Sequence, residues 1–390
     1  MPSVPRPPLA PVLSAASLLP RGRAPLPCVL DAGAVRHVTS GRIAIGLALQ
    51  ALSIGPGDVV LVPAYHSRSM IGPVVWRGAT PQFYRVRENA AVDLEHLASM
   101  LHGAVKAVMV THYFGIPQDM APIRALCDAR GVALLEDCAH AFFGAHGGRP
   151  LGAWGDYAIA SSMKFFPMYE GGCLISARHA LDALPLRGAG AAFEAKVMLT
   201  TLETSFSFGR LALAHALLWA PLAAKDALWR RVKARQATPA PALAPSSSDS
   251  SYDFDARWLD KRSARFSQAV LRLASKRRIV ALRRARYLRL HAALQSLPGC
   301  RPLIDALPEQ ACPWVFPLRV DDPEALFARL HAAGVPITRF ADSLWPGVDA
   351  SVCPHSARLS RHVLCFPVHQ ELRERELAWM IDTIVAAARA

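Results

Sequence analysis

Between Ser40 and Ser176 the chain alternates helix-like with strand-like segments, and two of the strand-like runs, Val59-Val60-Leu61-Val62-Pro63 and Val132-Ala133-Leu134-Leu135, are apolar without a break. Runs of that kind suit strands buried on both faces, inside a parallel sheet covered by helices. The second run ends in Glu136-Asp137-Cys138-Ala139-His140. It therefore carries a carboxylate to the carboxyl end of a strand, where open α/β sheets hold their ligands. The pattern predicts helices over 42–52, 67–77, 93–101 and 120–130, and strands over 59–63, 80–86, 105–111, 132–137, 156–161 and 173–176. The expected architecture is α/β, with a mostly parallel sheet flanked by helices.

A chain of 390 residues exceeds the roughly 250 to 300 at which single cores stop growing, so two domains are expected. Residues 1–27 are proline-rich, lack the apolar core and cleavage site of a secretory signal, and read as an arm. Residues 28–237 form the expected large domain, with an oily helical insert at about 192–235, and 238–251 is a low-complexity linker rich in Pro and Ser. A smaller α+β domain follows over 252–390: a long basic helix 263–297, a strand 314–320, a helix 323–333, a strand 363–367 and a closing helix 374–388.

The eight cysteines are scattered without a C-x-x-C pair, which argues against a zinc or redox site and for reduced, buried thiols in a cytoplasmic protein. The net charge of +14 comes largely from arginines between Arg257 and Arg289, read as a solvated helix face. No nucleic-acid module accompanies them. The oily stretch 211–224 is broken by His215 and Pro221 and falls short of the about 20 residues that span a bilayer. Packing against the large domain or a partner subunit is expected. Peripheral membrane contact through 206–235 is the alternative, because Lys225, Arg230, Arg231, Lys233 and Arg235 follow the apolar run.

The chemistry gathers around Lys164, which follows the strand-like Tyr157-Ala158-Ile159-Ala160-Ser161 and precedes Glu170-Gly171-Gly172 by six residues. A lysine there can form an imine with an aldehyde cofactor. Ser40-Gly41-Arg42 opens a helix, whose free N–H groups and dipole favour an anion such as a phosphate. Each residue also has a plain reading: a surface lysine at a strand exit, an Asp137 that caps a helix, a His140 satisfied within one.

Taken together, the lysine with its Glu-Gly-Gly step, the Glu-Asp-x-Ala-His run, Ser-Gly-Arg at a helix start and Gly55-Pro56-Gly57-Asp58 before the Val59 strand resemble the DegT/StrS-type sugar aminotransferases. These use pyridoxal phosphate (PLP) on the aspartate-aminotransferase fold, called fold type I. The resemblance implies that Lys164 binds the cofactor, that Asp137 contacts the pyridine nitrogen, that His140 faces the phenolic side, and that Ser40, Gly41, Arg42 and Ser161, with Ser162 as fallback, hold the phosphate. It is strong over 38–176 and weak beyond.

Three features depart from the family. The stretch between serine and lysine is about two residues short. The ring-stacking aromatic after Val62-Pro63 is replaced by Ser67, so Tyr65 or His66 is expected to take its role. The family's partner-subunit asparagine has no counterpart. The implied activity is transfer of an amino group, usually from glutamate, to a nucleotide-linked keto-sugar, in a homodimer with a shared site. One rival is a PLP-dependent sugar dehydratase, a relative that carries histidine in place of the lysine. Another is a non-catalytic regulator at a membrane.

Overall fold

The computed structural model describes residues 5–22, 26–220, 223 and 254–389. The linker expected at 238–251 and the basic residues of 225–235 lie outside the described residues. The strands are β1 (Ala34–Val38), β2 (Val59–Pro63), β3 (Thr80–Tyr84), β4 (Val105–Thr111), β5 (Ala133–Asp137), the short β6 (Ala145–His146) and β7 (Arg149–Pro150), β8 (Tyr157–Ala160) and β9 (Gly172–Ser176). Seven of them form one sheet in the order β1-β9-β8-β5-β4-β2-β3. The pairs from β3 through β8 are parallel, and β9 alone runs against its neighbours. The mostly parallel α/β sheet read from the sequence is therefore present. Every residue of β2, β8 and β9 is buried, as strands covered on both faces require.

Two expected helices are interrupted. The segment 67–77 is a 3-10 turn, Arg68–Met70, followed by a short helix Gly72–Trp76. Pro73 lies in the first turn of that helix, where its missing N–H is tolerated, and so marks a start rather than an interior. The basic helix 263–297 splits into Arg265–Leu273 and Lys276–Leu294. At the break Ala274 is extended, and the Ser275 hydroxyl accepts the Arg278 N–H at 3.3 Å, recapping the chain.

The second of these helices is not simply a solvated basic face. Arg283 on it is fully buried. The helix packs on a small antiparallel sheet of β10 (Cys300–Pro302), β11 (Val315–Val320) and β12 (Val363–Pro367). Tyr287, Leu290, Phe316, Leu318, Leu364 and Phe366 share that core with Leu377 and Met380 of the last helix, Glu374–Arg389. All eight cysteines are free thiols and seven are buried. Among the described residues no helix is long and apolar enough to cross a membrane.

Candidate active site

The carboxyl ends of β4, β5 and β8 carry the chemistry. Asp137 is the last residue of β5 and is 3% exposed. Its Oδ1 accepts the Ala139 N–H at 2.9 Å and its Oδ2 accepts the Thr111 hydroxyl at 3.3 Å. Burial pushes the carboxyl above its ordinary range, opposed by the Ala139 N–H and by the charge of Lys164. Neither group bonded to it is a cation. A carboxylate has about four acceptor sites, so two remain for a donor from outside the chain.

Lys164 closes the 3-10 turn Ser162–Lys164 that follows β8. Its Nζ lies 4.5 Å from the centre of the Trp314 ring. Burial lowers the amine to about 8, with Asp137 pulling the other way. The lysine's backbone is held from a distant part of the sequence. Arg283 Nη2 donates to Lys164 O at 2.8 Å, while its Nη1 donates to the carbonyls of Pro313 and Trp314 at 3.2 and 2.8 Å. Its Nε donates to Gln370 Oε1 at 3.1 Å, and the guanidinium lies over the Phe165 ring at 4.5 Å. One buried cation, lowered to about 10 by that burial, thus ties the lysine turn to the start of β11.

The anion cradle is built by close backbone approach. Ser40 caps the helix Gly41–Ala51, its Oγ accepting the Ile43 N–H at 3.3 Å. Gly171 donates its N–H to Thr39 O and accepts the Ser162 N–H, both at 3.0 Å, which joins the helix start to the lysine turn. A Cβ on Gly172 would stand 2.3 Å from the Ser40 carbonyl carbon, so only glycine lets β9 lie against the cradle. Glu170 faces the other way, one oxygen accepting from the Ser263 hydroxyl at 2.9 Å and the Ala264 N–H at 3.0 Å. The Glu-Gly-Gly step is thereby a clamp between three segments. Gly172→Ala should force β9 off the helix start, lowering unfolding free energy by on the order of 1–3 kcal/mol and weakening binding of a phosphate-bearing ligand. Thermal unfolding with and without ligand checks both effects.

A cavity of about 120 Å³ brings Ser40, Gly41, Arg42, Asp137, His140, Ser161 and Lys164 together. Ser67, Ser69 and Phe340 also stand on its wall. His140 is buried with its Nδ1 lacking a hydrogen-bond partner, and its ring stacks on Trp314 at 3.9 Å. Burial and the nearby Lys164 charge hold that imidazole neutral, well below its ordinary range. Ser162, by contrast, turns towards Cys173 Sγ at 3.4 Å.

Tyr65 and His66 do not line this cavity, so the expectation that either would stack on a ring there is corrected. The Tyr65 ring meets Phe340 at 5.0 Å and Tyr113 at 5.2 Å in an aromatic cluster that shares Phe340 with the cavity wall. His66 directs Nδ1 at the carbonyls of Pro63 and Ala64, at 3.1 and 3.0 Å. Its Nε2 accepts the Trp345 N–H at 3.0 Å while the ring stacks on Phe83. Burial takes it down to about 4, in keeping with one N–H donated and one lone pair used. Ser67 does face the cavity, at the register where an aromatic was expected.

Sequence reasoning missed Trp314, Phe340 and Arg283, which no local motif marks. It also passed over Glu136. That carboxylate accepts the backbone N–H groups of Trp154 and Gly155 at 2.6 Å and of Gly152 at 3.1 Å. It pairs with His112 Nε2 at 3.1 Å, and His112 Nδ1 accepts the Gln118 N–H. His112, Glu136 and Cys138 are near enough to share a metal, but the first two spend their atoms on this network. Glu136 anchors the loop behind β5 while Asp137, its neighbour, faces the cavity.

Residues 30–191 match the model of the DegT/DnrJ/EryC1/StrS aminotransferase family. The resemblance read in the sequence holds over this segment, which carries the lysine, the Glu-Asp run and the cradle. The chain is 35% identical to the GDP-perosamine synthase of Vibrio cholerae over 148 residues, 36% of this chain and 40% of that protein. It is 35% identical over 156 residues to the UDP-N-acetyl-3-dehydro-alpha-D-glucosamine 3-aminotransferase of Acidithiobacillus ferrooxidans, 38% of this chain and 41% of that one. The chain thus spans about two fifths of the length of these curated relatives. In structure it is similar to DesV of S. venezuelae, with a TM-score of 0.62 at 21% identity over 95% of this chain and 91% of that one. That likeness is one of fold.

Proposed function

We propose that the protein is a PLP-dependent aminotransferase that moves an amino group, from glutamate or a similar donor, to a keto-sugar carried on a nucleotide. The observation that supports it most is the union, in one cavity, of a half-buried lysine with a lowered amine, a buried carboxylate with spare acceptor sites and a helix start thinned by glycine. The two curated relatives are named for nucleotide-linked sugars, which supports the acceptor class. Lys164 argues against the dehydratase, whose lysine is replaced by histidine.

When bound, PLP supplies an aldehyde carbon for a lysine and a protonated ring that withdraws electrons. Lys164 would hold it covalently, and Asp137 would accept the pyridine N–H and keep it protonated. The unpartnered Nδ1 of His140 would meet the phenolic side. Ser40, Gly41 and Ser161, with Arg42 beside them, would take the phosphate at the helix start. An amine near 8 is neutral in a useful fraction at neutral to mildly alkaline pH. Lys164 can therefore take a proton from a substrate carbon and return it. Trp314, over the amine, and Phe340 shield that proton from bulk water.

In this reading residues 28–237 are the large cofactor domain and 252–390 the small one, and two chains form a cytoplasmic homodimer with shared sites. The test is optical. Protein loaded with PLP should absorb in the visible, bleach with glutamate, and regain the band with the right keto-sugar nucleotide. Protein that takes up PLP yet never bleaches with any amino donor would defeat the aminotransferase reading.

A further inference from the structure

A larger cavity, about 610 Å³ and open to solvent, shares no lining residue with the one around Lys164. Its wall carries Arg21, Arg210, Arg278, Arg286, Arg289 and Arg373 against Glu371 and Glu374. Three of the arginines have carboxylate partners: Arg210 with Glu376 at 2.8 Å, Arg278 with Glu371, and Arg289 with Glu374. The others make no ion pair among the described residues. Arg286 donates to the carbonyls of His369 and Leu372, and Arg373 to that of Gly209. Arg286 is buried, and that burial together with the charges of Arg278 and Arg21 brings it down to about 10. The cleft therefore holds an excess of positive charge that wants an anion.

Beside it stands a helix that wants an apolar medium. Leu211, at φ +53°, lines the cleft and turns the chain into the helical residues 212–220. This segment contains no charged residue. Leu213, Leu217 and Trp219 are 84%, 81% and 64% exposed, while His215 stacks on Phe206 at 4.7 Å and so fixes the helix to the one before it. Ala15 and Ala16 line the same cleft, and Leu18 and Leu19, next along the chain, are also exposed. Exposed apolar surface gathered in this way marks an interaction site.

A second copy of the chain seated through a twofold axis would set the same surplus arginines against themselves. A nucleic acid would neutralise the arginines and leave the leucines and the tryptophan in water. An anionic lipid surface satisfies both, offering phosphates to the guanidinium groups and an interfacial layer suited to leucine and tryptophan. We propose that this face docks the protein peripherally on an anionic membrane, with helix 212–220 lying in the interface and the arginine cleft against the lipid phosphates.

Co-sedimentation with vesicles tests the proposal on the full chain loaded with PLP. Binding to phosphatidylcholine vesicles containing phosphatidylglycerol should exceed binding to pure phosphatidylcholine by about tenfold or more at low salt, and fall as salt rises. The exposed triple variant Leu213→Ser, Leu217→Ser, Trp219→Ser should lose about tenfold or more of that binding. So should the double variant Arg21→Gln, Arg373→Gln. All proteins should keep the same visible absorption, which separates this proposal from the chemistry at Lys164. Equal binding to both vesicle types would overturn it. A triple variant that changes oligomeric size and still binds vesicles fully would also overturn it, assigning the helix to a seam between copies.

Discussion

Replacing Lys164 with alanine should abolish covalent capture of PLP and lower turnover by at least about 10²- to 10⁴-fold, the range attached to a positioned proton-transfer group. Borohydride reduction of the loaded wild-type protein should leave the pyridoxyl group on Lys164, read by peptide mapping. A pyridoxyl group on another lysine would end the assignment. The fold should survive the change, because Arg283 holds this turn through the backbone carbonyl and not the amine. The pH dependence has a definite sign. In the folded chain the amine sits at about 8 against an ordinary 10.5, so between those values the unfolded chain binds more protons. Stability therefore rises with pH across that window in the cofactor-free wild type, and the alanine variant lacks the rise. Acylation of Lys164 in cofactor-free protein should likewise half-titrate near 8.

How much of this was legible depended on where the information sat in the chain. Asp137, Lys164 and Ser40 were readable because each lies at a strand end or helix start within a local pattern, and parallel sheets send such positions to one edge. The strands β2, β4 and β12 fall on their predicted residues because short, mostly apolar runs with abrupt ends leave little freedom. Helix breaks were harder. Periodicity passes through Ser275, but its N–H bonds to Ser17 O, a partner that sequence reading could not supply.

The same limit explains the ring-stacking error. Tyr65 and His66 have residue types suited to stacking, yet Tyr65 packs on Tyr113 and Phe340, and His66 stacks on Phe83 with its Nε2 taken by the Trp345 N–H far along the chain. Trp314 is hidden for a related reason. It reads as the start of a strand, and only the packing of β11 beside the lysine turn sets its ring over the amine. Arg283 looked like one more basic residue on a charged helix. Its burial is set by the carbonyls it gathers from Lys164, Pro313 and Trp314, which converge only in three dimensions.

Asp137→Asn separates the site's chemistry from its architecture. The asparagine Oδ1 can still accept the Ala139 N–H, and its amide can donate to the Thr111 hydroxyl, so the strand end and the turn after it keep their bonds. Burial raises the carboxyl in the cofactor-free chain, meaning the ionised form is held at a cost to the fold above the carboxyl's ordinary range. Removing the charge should leave the melting temperature of cofactor-free protein unchanged or higher at neutral pH. Turnover should move the other way. A neutral amide cannot hold the pyridine nitrogen protonated, and loss of one charge-assisted bond is worth about 1.5–3 kcal/mol, or roughly ten- to more than a hundredfold in rate before any loss of ring electrophilicity. Melting curves without PLP, set beside turnover with saturating PLP, give the two halves independently. Near wild-type turnover in this variant would reduce Asp137 to a helix cap, while a fall in both readings would assign it to the fold alone.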